Sequence, residues 1–268
     1  MPRLGCQTGA VTREIRIGAQ IQPQHADYQQ IRETVEQAEA AGADVIFTWD
    51  HFFPLGGEPD GKHFECWTML AAWAEATSRA EIGALVTCNS YRNPELLADM
   101  ARTVDHISGG RLILGIGSGW FERDYREYGY EFGTAGSRLS ELGAALPRIK
   151  DRWSKLNPAP TRDIPILIGG GGEKKTLRYV AEHASIWHII GDLPTVRHKN
   201  GVLDSWCAEL GRDPAQIERS VKVTEPPEQV ADDLLGAGFT QFTVSQSGPD
   251  YDLALLRQWL DWREKQSR

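Results

Sequence analysis

The sequence alternates eight times between a short apolar run and a longer run with helical spacing. The strand candidates are residues 15–21, 44–49, 81–87, 111–117, 164–169, 185–190, 220–224 and 240–246. Eight β-then-α units in 268 residues predict an α/β fold of the (β/α)8 TIM barrel type. A doubly wound sheet would usually use fewer strands and a glycine fingerprint after its first strand. The nearest match, GIGSGW, has Trp120 where G-x-G-x-x-G needs its third glycine.

Composition limits the partners and the compartment. Residues 15–268 form one predicted barrel domain behind a loose N-terminal lead, residues 1–14, which lacks the apolar core of a signal peptide. No run approaches the roughly 18 apolar residues of a membrane span, and a net charge of -8 disfavours a nucleic-acid surface. The cysteines are far apart and favour a reducing, cytoplasmic setting without disulfides; they are Cys6, Cys66, Cys88 and Cys207.

The fourth strand candidate has glycine at alternate positions. Gly115, Gly117 and Gly119 share one face because side chains alternate along a strand. That bare face would leave room for a flat ligand over the barrel mouth. The alternative interpretation is that tight packing inside the barrel requires small residues.

The second strand candidate ends in TWDHFFP, where a barrel of this kind carries its reactive residues. If residues 45, 47 and 49 face the helices, Asp50 lies on the inner side at the mouth with His51 beside it. A carboxylate next to an imidazole is a reasonable acid–base or hydrogen-bonding pair. An aspartate that caps a helix beside an exposed histidine is the simpler alternative.

Four consecutive glycines, Gly169 to Gly172, connect the fifth strand candidate to a charged helix over residues 173–184. Glycine allows close approach of the backbone, and the N-terminus of a helix favours an anion. The stretch therefore predicts either a phosphate cradle or a flexible turn.

Several other chemistries lack their motifs. The first strand carries no H-x-H pair, and no histidine or cysteine cluster has zinc spacing, so no metal site is predicted. Ser118 is not flanked as G-x-S-x-G requires. The glycines at 169–172 are not followed by the lysine and hydroxyl residue of a P-loop.

Three stretches together resemble the luciferase-like flavin and deazaflavin oxidoreductases, most closely the branch that uses coenzyme F-420. They are TWDHFFP, the segment CNSYRNPELLADMARTVDHISGGRLILGIGSGWFERDYREYG, and IPILIGGGGEKKTLRYVAEHAS. The similarity runs from about residue 15 to residue 190 and is loose beyond that. It implies a (β/α)8 barrel with a deazaflavin or isoalloxazine ring across its mouth, and hydride transfer between that ring and a small organic substrate.

The resemblance also implies roles for particular residues. His51, with Asp50, would exchange a proton beside the ring, and Trp120 would line the edge of the ring or the substrate pocket. Apart from the resemblance, the aromatic residues near the mouth, among them Trp120 and Phe53, suggest that this pocket is apolar. The cofactor-binding residues would be Leu85, Val86 and Thr87 behind the ring, with a non-prolyl cis peptide among them, Ser118 and Gly119 at its edge, and Gly169, Gly170, Gly171 and Gly172 at the phosphate.

The sequence departs from the family at the substrate side. Sugar-phosphate dehydrogenases of this superfamily have a catalytic glutamate where this chain has Trp120, so their substrate is not transferred. The segments before the fifth strand and after Val223 are shorter than in typical family members, where they wall the substrate pocket. This predicts that the pocket is open at the barrel mouth, that a partner subunit completes its wall, or that catalysis has been lost. Alternatives are thus an FMN-dependent monooxygenase, supplied with reduced flavin by a partner reductase, and a non-catalytic cofactor-binding barrel. A homodimer is compatible with the resemblance.

Overall fold

A computed structural model describes residues 13–266. The expected N-terminal lead lies outside these residues apart from its last two positions, as does Cys6. The strands are β1 (Arg16–Ile21), β2 (Val45–Thr48), β3 (Glu81–Ala84), β4 (Thr87–Cys88), β5 (Leu112–Gly117), β6 (Ile166–Gly169), β7 (Ile186–Ile189), β8 (Glu218–Val223) and β9 (Gln241–Gln246). The helices are α1 (Tyr28–Ala41), α2 (Cys66–Ala76), α3 (Pro94–Ser108), α4 (Glu122–Tyr128), α5 (Ala135–Trp153), α6 (Thr176–His183), α7 (Leu193–Leu210), α8 (Pro227–Gly236) and α9 (Ala254–Gln266).

The strands form one closed parallel barrel. Their order is β3-β2-β1-β9-β8-β7-β6-β5-β4, and a further pairing of β3 with β5 closes the ring. β3 and β4 are two pieces of the third barrel strand, separated by a cis peptide bond between Leu85 and Val86. The eight predicted strands and the TIM barrel are therefore confirmed.

Helix ends follow the signals in the sequence. Asn93 caps α3 by accepting hydrogen bonds from the amides of Glu95 and Leu96 at 2.9 and 3.2 Å. α1 and α3 end at Gly42 and Gly109, whose φ angles of 108° and 67° are in the left-handed region.

The barrel interior has an apolar half and a polar half. Six apolar side chains pack together inside it, from β2 through β7: Val45, Phe47, Leu85, Ile113, Leu167 and Ile186. Ile46 instead belongs to the larger core shared with the helices. The prediction that residues 45 and 47 face the helices is thus wrong, because alternation separates two faces without saying which one is inside.

Polar residues on β8, β9 and β1 occupy the other half of the interior. At its lower end Arg16 forms ion pairs with Glu218, at 2.9 Å, and with Glu81. Ion pairs therefore occupy the interior at the N-terminal ends of the strands.

Candidate active site

A cavity of about 640 Å³ opens at the C-terminal ends of the barrel strands. That size lies within the usual range of small-molecule and cofactor sites. Most of the residues expected at the site line it: Asp50, His51, Leu85, Val86, Thr87, Ser118, Gly119, Trp120, Gly169, Gly170 and Gly171. Phe53 and Gly172 are not among its lining residues.

His51 is held by a carboxylate that the sequence reasoning missed. The Nδ1 atom of His51 lies 2.7 Å from a carboxylate oxygen of Asp124, a fully buried residue of α4. The same carboxylate accepts hydrogen bonds from the Phe52 amide at 3.0 Å and the Tyr91 hydroxyl at 2.8 Å. Burial raises the pKa of Tyr91, so its hydroxyl stays a donor. Because Asp124 is an acceptor, Nδ1 carries the proton and Nε2 is left for a ligand in the cavity.

Aromatic rings support the imidazole. The rings of Trp120 and Phe121 approach that of His51 edge to face, with centroids 5.7 and 5.6 Å away. Trp120 is 63% exposed, so much of its ring is available to a ligand at the mouth. On this side of the cavity the oriented imidazole of His51 is thus surrounded by aromatic rings.

Asp50 does not pair with His51, contrary to the prediction. Its carboxylate forms two hydrogen bonds with the guanidinium of Arg92, at 2.6 and 3.0 Å, and accepts one from the Cys88 amide at 3.0 Å. Burial raises the pKa of Asp50, while Arg92 and the Cys88 amide oppose that rise. Since Val45 and Phe47 point into the barrel, alternation turns the Asp50 side chain away from the interior. Its carboxylate holds β4 in place.

The third barrel strand forms one wall of the cavity. The cis peptide between Leu85 and Val86, which the family resemblance implied, is present. The Leu85 carbonyl accepts a hydrogen bond from Gln20 Nε2 at 3.1 Å, and Gln20 Oε1 accepts one from the Ser245 hydroxyl at 2.8 Å. Gln20 thus links β1 to the cis segment across the barrel.

The third barrel strand packs closely against the alternating glycines of β5. A Cβ on Gly115 would collide with the Ala84 carbonyl oxygen, and one on Gly117 would lie 2.8 Å from Val86. Val86 therefore fills much of the bare face, which supports the packing interpretation for Gly115. Gly117 and Gly119 also line the cavity.

The glycine loop after β6 is fixed from both sides. Gly170 has φ 117°, which favours glycine, and its amide donates to the His188 carbonyl at 3.0 Å. Trp187 and Trp206 donate to the carbonyls of Gly170 and Glu173 at 2.8 and 2.7 Å. The Gly170 amide is thus unavailable to a phosphate, contrary to expectation.

Two other amides of this loop are available. Within residues 13–266, the amides of Gly171 and Gly172 have no hydrogen-bond acceptor. Side chains that line the cavity beside the loop are Thr176, Thr195 and Lys199. α6 begins at Thr176, three residues later than predicted.

Phe53 lies outside the cavity. The guanidinium carbon of Arg123 sits 3.9 Å from its ring centroid, and the Tyr128 ring is edge-on to it at 6.2 Å. Phe53 therefore packs against α4 and holds this helix to the barrel. Its effect on the site is indirect and passes through α4.

Neither a metal centre nor a membrane-spanning helix is present within residues 13–266. Residues 13–266 contain no group of three or more His, Cys, Asp and Glu side chains placed to hold a metal ion. None of the helices in this range has the length and hydrophobicity that a bilayer crossing requires.

Comparisons with known proteins identify the family and the relatives that this chain resembles. A family model described as luciferase-like monooxygenase matches residues 10–251. An F-420-dependent glucose-6-phosphate dehydrogenase of Amycolatopsis mediterranei is 27% identical over 177 residues, which make up 59% of this chain and 52% of that relative. The chain thus spans about half the length of this curated relative.

Two solved structures share the fold. An F-420-dependent secondary alcohol dehydrogenase in complex with an F-420-acetone adduct superposes with a TM-score of 0.82, at 16% identity, over 93% of this chain and 98% of its own. The oxygenating constituent of 3,6-diketocamphane monooxygenase from Pseudomonas putida, in complex with FMN, has a TM-score of 0.64 at 16% identity, over 79% of this chain and 67% of its own. Because the family match covers most of the sequence, the chain belongs to the luciferase-like monooxygenase family.

Proposed function

We propose that the protein is an oxidoreductase that transfers a hydride between coenzyme F-420 and a small organic substrate. The observation that carries the proposal is the oriented imidazole of His51, which faces a cavity bounded by the cis segment and the glycine loop. The resemblance of the sequence to the F-420 branch and the F-420-dependent relative support this cofactor over FMN.

The residues present fit such a cofactor. Leu85 and Val86 offer an apolar wall for a ring, and the buried hydroxyl of Thr87 beside them has no hydrogen-bond partner within residues 13–266. The amides of Gly171 and Gly172 suit a phosphate because they are close together and unpaired. When bound, the deazaflavin would supply hydride chemistry, which no amino-acid side chain provides.

The protein's own groups would manage the proton. Asp124 keeps the proton of His51 on Nδ1, so Nε2 can accept a proton from a substrate hydroxyl or return one to a carbonyl oxygen. Trp120 and Phe121 shield one side of the imidazole from water. Asp50, expected to be catalytic, would act on the site only by fixing β4.

Cofactor titrations test the proposal. Purified protein is titrated with F-420 and separately with FMN, and the fluorescence of its nine tryptophans is followed. We expect saturable quenching by F-420. Tight binding of FMN without a response to F-420 would instead support a monooxygenase that uses reduced flavin and O2.

A variant of His51 separates catalysis from binding. His51→Ala should keep the affinity for F-420 within about twofold and lower the turnover of an alcohol or carbonyl substrate by roughly 10²-fold or more. His106→Ala is the matched control, because His106 is a surface residue bonded to the Ala159 carbonyl. Unchanged turnover in His51→Ala would exclude this imidazole from the chemistry, whereas a wild type that binds F-420 without turning over any assayed substrate would favour the non-catalytic barrel.

A further inference from the structure

The polar wall of the cavity contains two side chains that the proposed chemistry does not use. His188 of β7 and Lys222 of β8 both line the cavity. His188 is paired in register with Ser220, two residues before Lys222, so the two side chains project from the same inner face of adjacent strands. In the barrel order β8 is diametrically opposite the third strand, which forms the apolar wall.

The hydrogen bonding of His188 makes it a donor toward the cavity. The side chain is buried, and Nδ1 lies 2.8 Å from the Ser220 hydroxyl. That hydroxyl has no other partner within residues 13–266, so it satisfies its proton only by donating to Nδ1. Nδ1 is then an acceptor, and the single ring proton is on Nε2. Burial, with Lys222 nearby, lowers the pKa of His188 to about 3, which keeps the ring neutral.

Lys222 supplies a charge that has no ion-pair partner in the part of the chain that the structure describes. Among the described residues, no carboxylate lies within 4.0 Å of its ammonium group. Lys199, the other lysine of the cavity, is by contrast paired with Glu173 at 2.6 Å. An ammonium group and an N–H donor therefore face the same space, with no acceptor supplied for either.

We propose that His188 and Lys222 form a subsite for a carboxylate group of the substrate. Two donors, one of them charged, match the two oxygens of a carboxylate. The inference deepens the proposed function and rests on it, since it assigns to the oxidoreductase a substrate class: small organic acids whose reacting carbon lies near His51. The unpaired Gly171 and Gly172 amides offer the cofactor phosphate a separate place on the loop after β6.

The test uses two probes of the same shape and different charge. Cyclohexanecarboxylate and cyclohexanecarboxamide are titrated into the full chain, with and without bound F-420, and tryptophan fluorescence is measured. The carboxylate should bind at least tenfold more tightly than the amide. Lys222→Met should remove roughly tenfold or more of the carboxylate affinity and leave that for the amide unchanged.

Three further variants sharpen the result. Lys222→Arg should keep the preference for the carboxylate, His188→Ala should weaken it severalfold, and Lys174→Met, a surface lysine outside the cavity, should have no effect. Circular dichroism melting confirms that each variant is folded. F-420 affinity should change less than twofold throughout.

The outcomes distinguish the two proposals. Equal affinity of the wild type for both probes, or an unchanged preference in Lys222→Met, overturns the subsite. A tenfold loss of F-420 affinity in Lys222→Met would mean that Lys222 binds an anionic group of the cofactor. This result would also overturn the proposed substrate subsite. If F-420 does not bind at all but the carboxylate preference depends on Lys222, the subsite stands and the proposed function fails.

Discussion

The imidazole of His51 depends on a residue 73 positions further along the chain. Replacement of Asp124 by Asn keeps the shape but offers an amide that can donate to Nδ1, which moves the ring proton to Nε2. We expect turnover to fall by roughly 10²-fold or more, with little change in F-420 affinity. Steady-state kinetics at saturating cofactor, together with the fluorescence titration, measure the two quantities.

Tyr91 offers a control for this prediction. Tyr91→Phe removes one hydrogen bond to Asp124 and leaves the contact with His51 intact. Its turnover should fall much less than that of Asp124→Asn. Equal losses in the two variants would mean that the whole buried network, and not the tautomer of His51, determines activity.

Asp50 is expected to matter for stability. Asp50→Asn removes a charge that neutralises the buried guanidinium of Arg92, whose remaining ion pair among residues 13–266 is the 2.7 Å contact with Glu65. The free energy of unfolding should fall by about 3 kcal/mol, as measured by urea denaturation. Glu95→Gln, which breaks an exposed pair with Arg148, should leave the unfolding midpoint unchanged.

The opposite pattern would restore the catalytic interpretation of Asp50. If Asp50→Asn unfolds like the wild type and binds F-420 but loses turnover, its carboxylate takes part in the chemistry.

Several site residues could not be predicted from the sequence. TWDHFFP located His51, but Asp124, Gln20, His188 and Lys222 come from other elements and become neighbours only when the barrel closes. Their partners depend on tertiary contacts that no local spacing encodes. An aspartate in the middle of FERDYREY, beside aromatic residues, was the one available signal for Asp124.

At the scale of elements, β5 and the third strand can pack closely because β5 has glycine where the two strands meet. Gly115→Ala would place a methyl group against the Ala84 carbonyl, and backbone there cannot move without disturbing β3. We expect a loss of about 1–3 kcal/mol in the free energy of unfolding. Chemical denaturation followed by tryptophan fluorescence measures it.

Gly201→Ala is the matched control for Gly115→Ala. Gly201 is exposed within α7, and a Cβ there would have nothing within 4 Å. Alanine should stabilise that helix by up to about 1 kcal/mol. Similar changes in the free energy of unfolding at both glycines would show that the close approach of Gly115 to Ala84 does not determine stability.

Element positions were largely predictable, and element faces were not. Periodicity located the strands, because that signal is local. Asn93, Gly42 and Gly109 are local signals of the same kind for the ends of α1 and α3. The strand predicted over residues 81–87 is divided into β3 and β4, and only the cis peptide between them was implied by the family resemblance. Which face of β2 is inside depended on how the whole sheet curves, so that choice was wrong.

The folded protein holds two histidines neutral, the half-buried His63 and the buried His188, and this predicts how its stability depends on acid. Burial lowers the pKa of His63 from 6.5 to about 4, and that of His188 to about 3. His63 Nε2 accepts a hydrogen bond from Trp49 at 3.1 Å, which requires the unprotonated atom. In the unfolded chain both rings take up a proton below about pH 6.5, whereas the folded protein keeps them neutral.

The free energy of unfolding should therefore fall as the pH drops from about 6.5 toward 4, by up to roughly 1.4 kcal/mol per pH unit for each histidine. His63→Gln retains an acceptor for Trp49 but cannot be protonated, so its stability should decline less steeply than that of the wild type. Urea denaturation at pH 7.5 and pH 4.5 gives the comparison, and we expect the variant to lose about 2 kcal/mol less over this interval. Equal losses in the two proteins would mean that His63 is protonated in the folded barrel and that its contact with Trp49 does not keep it neutral.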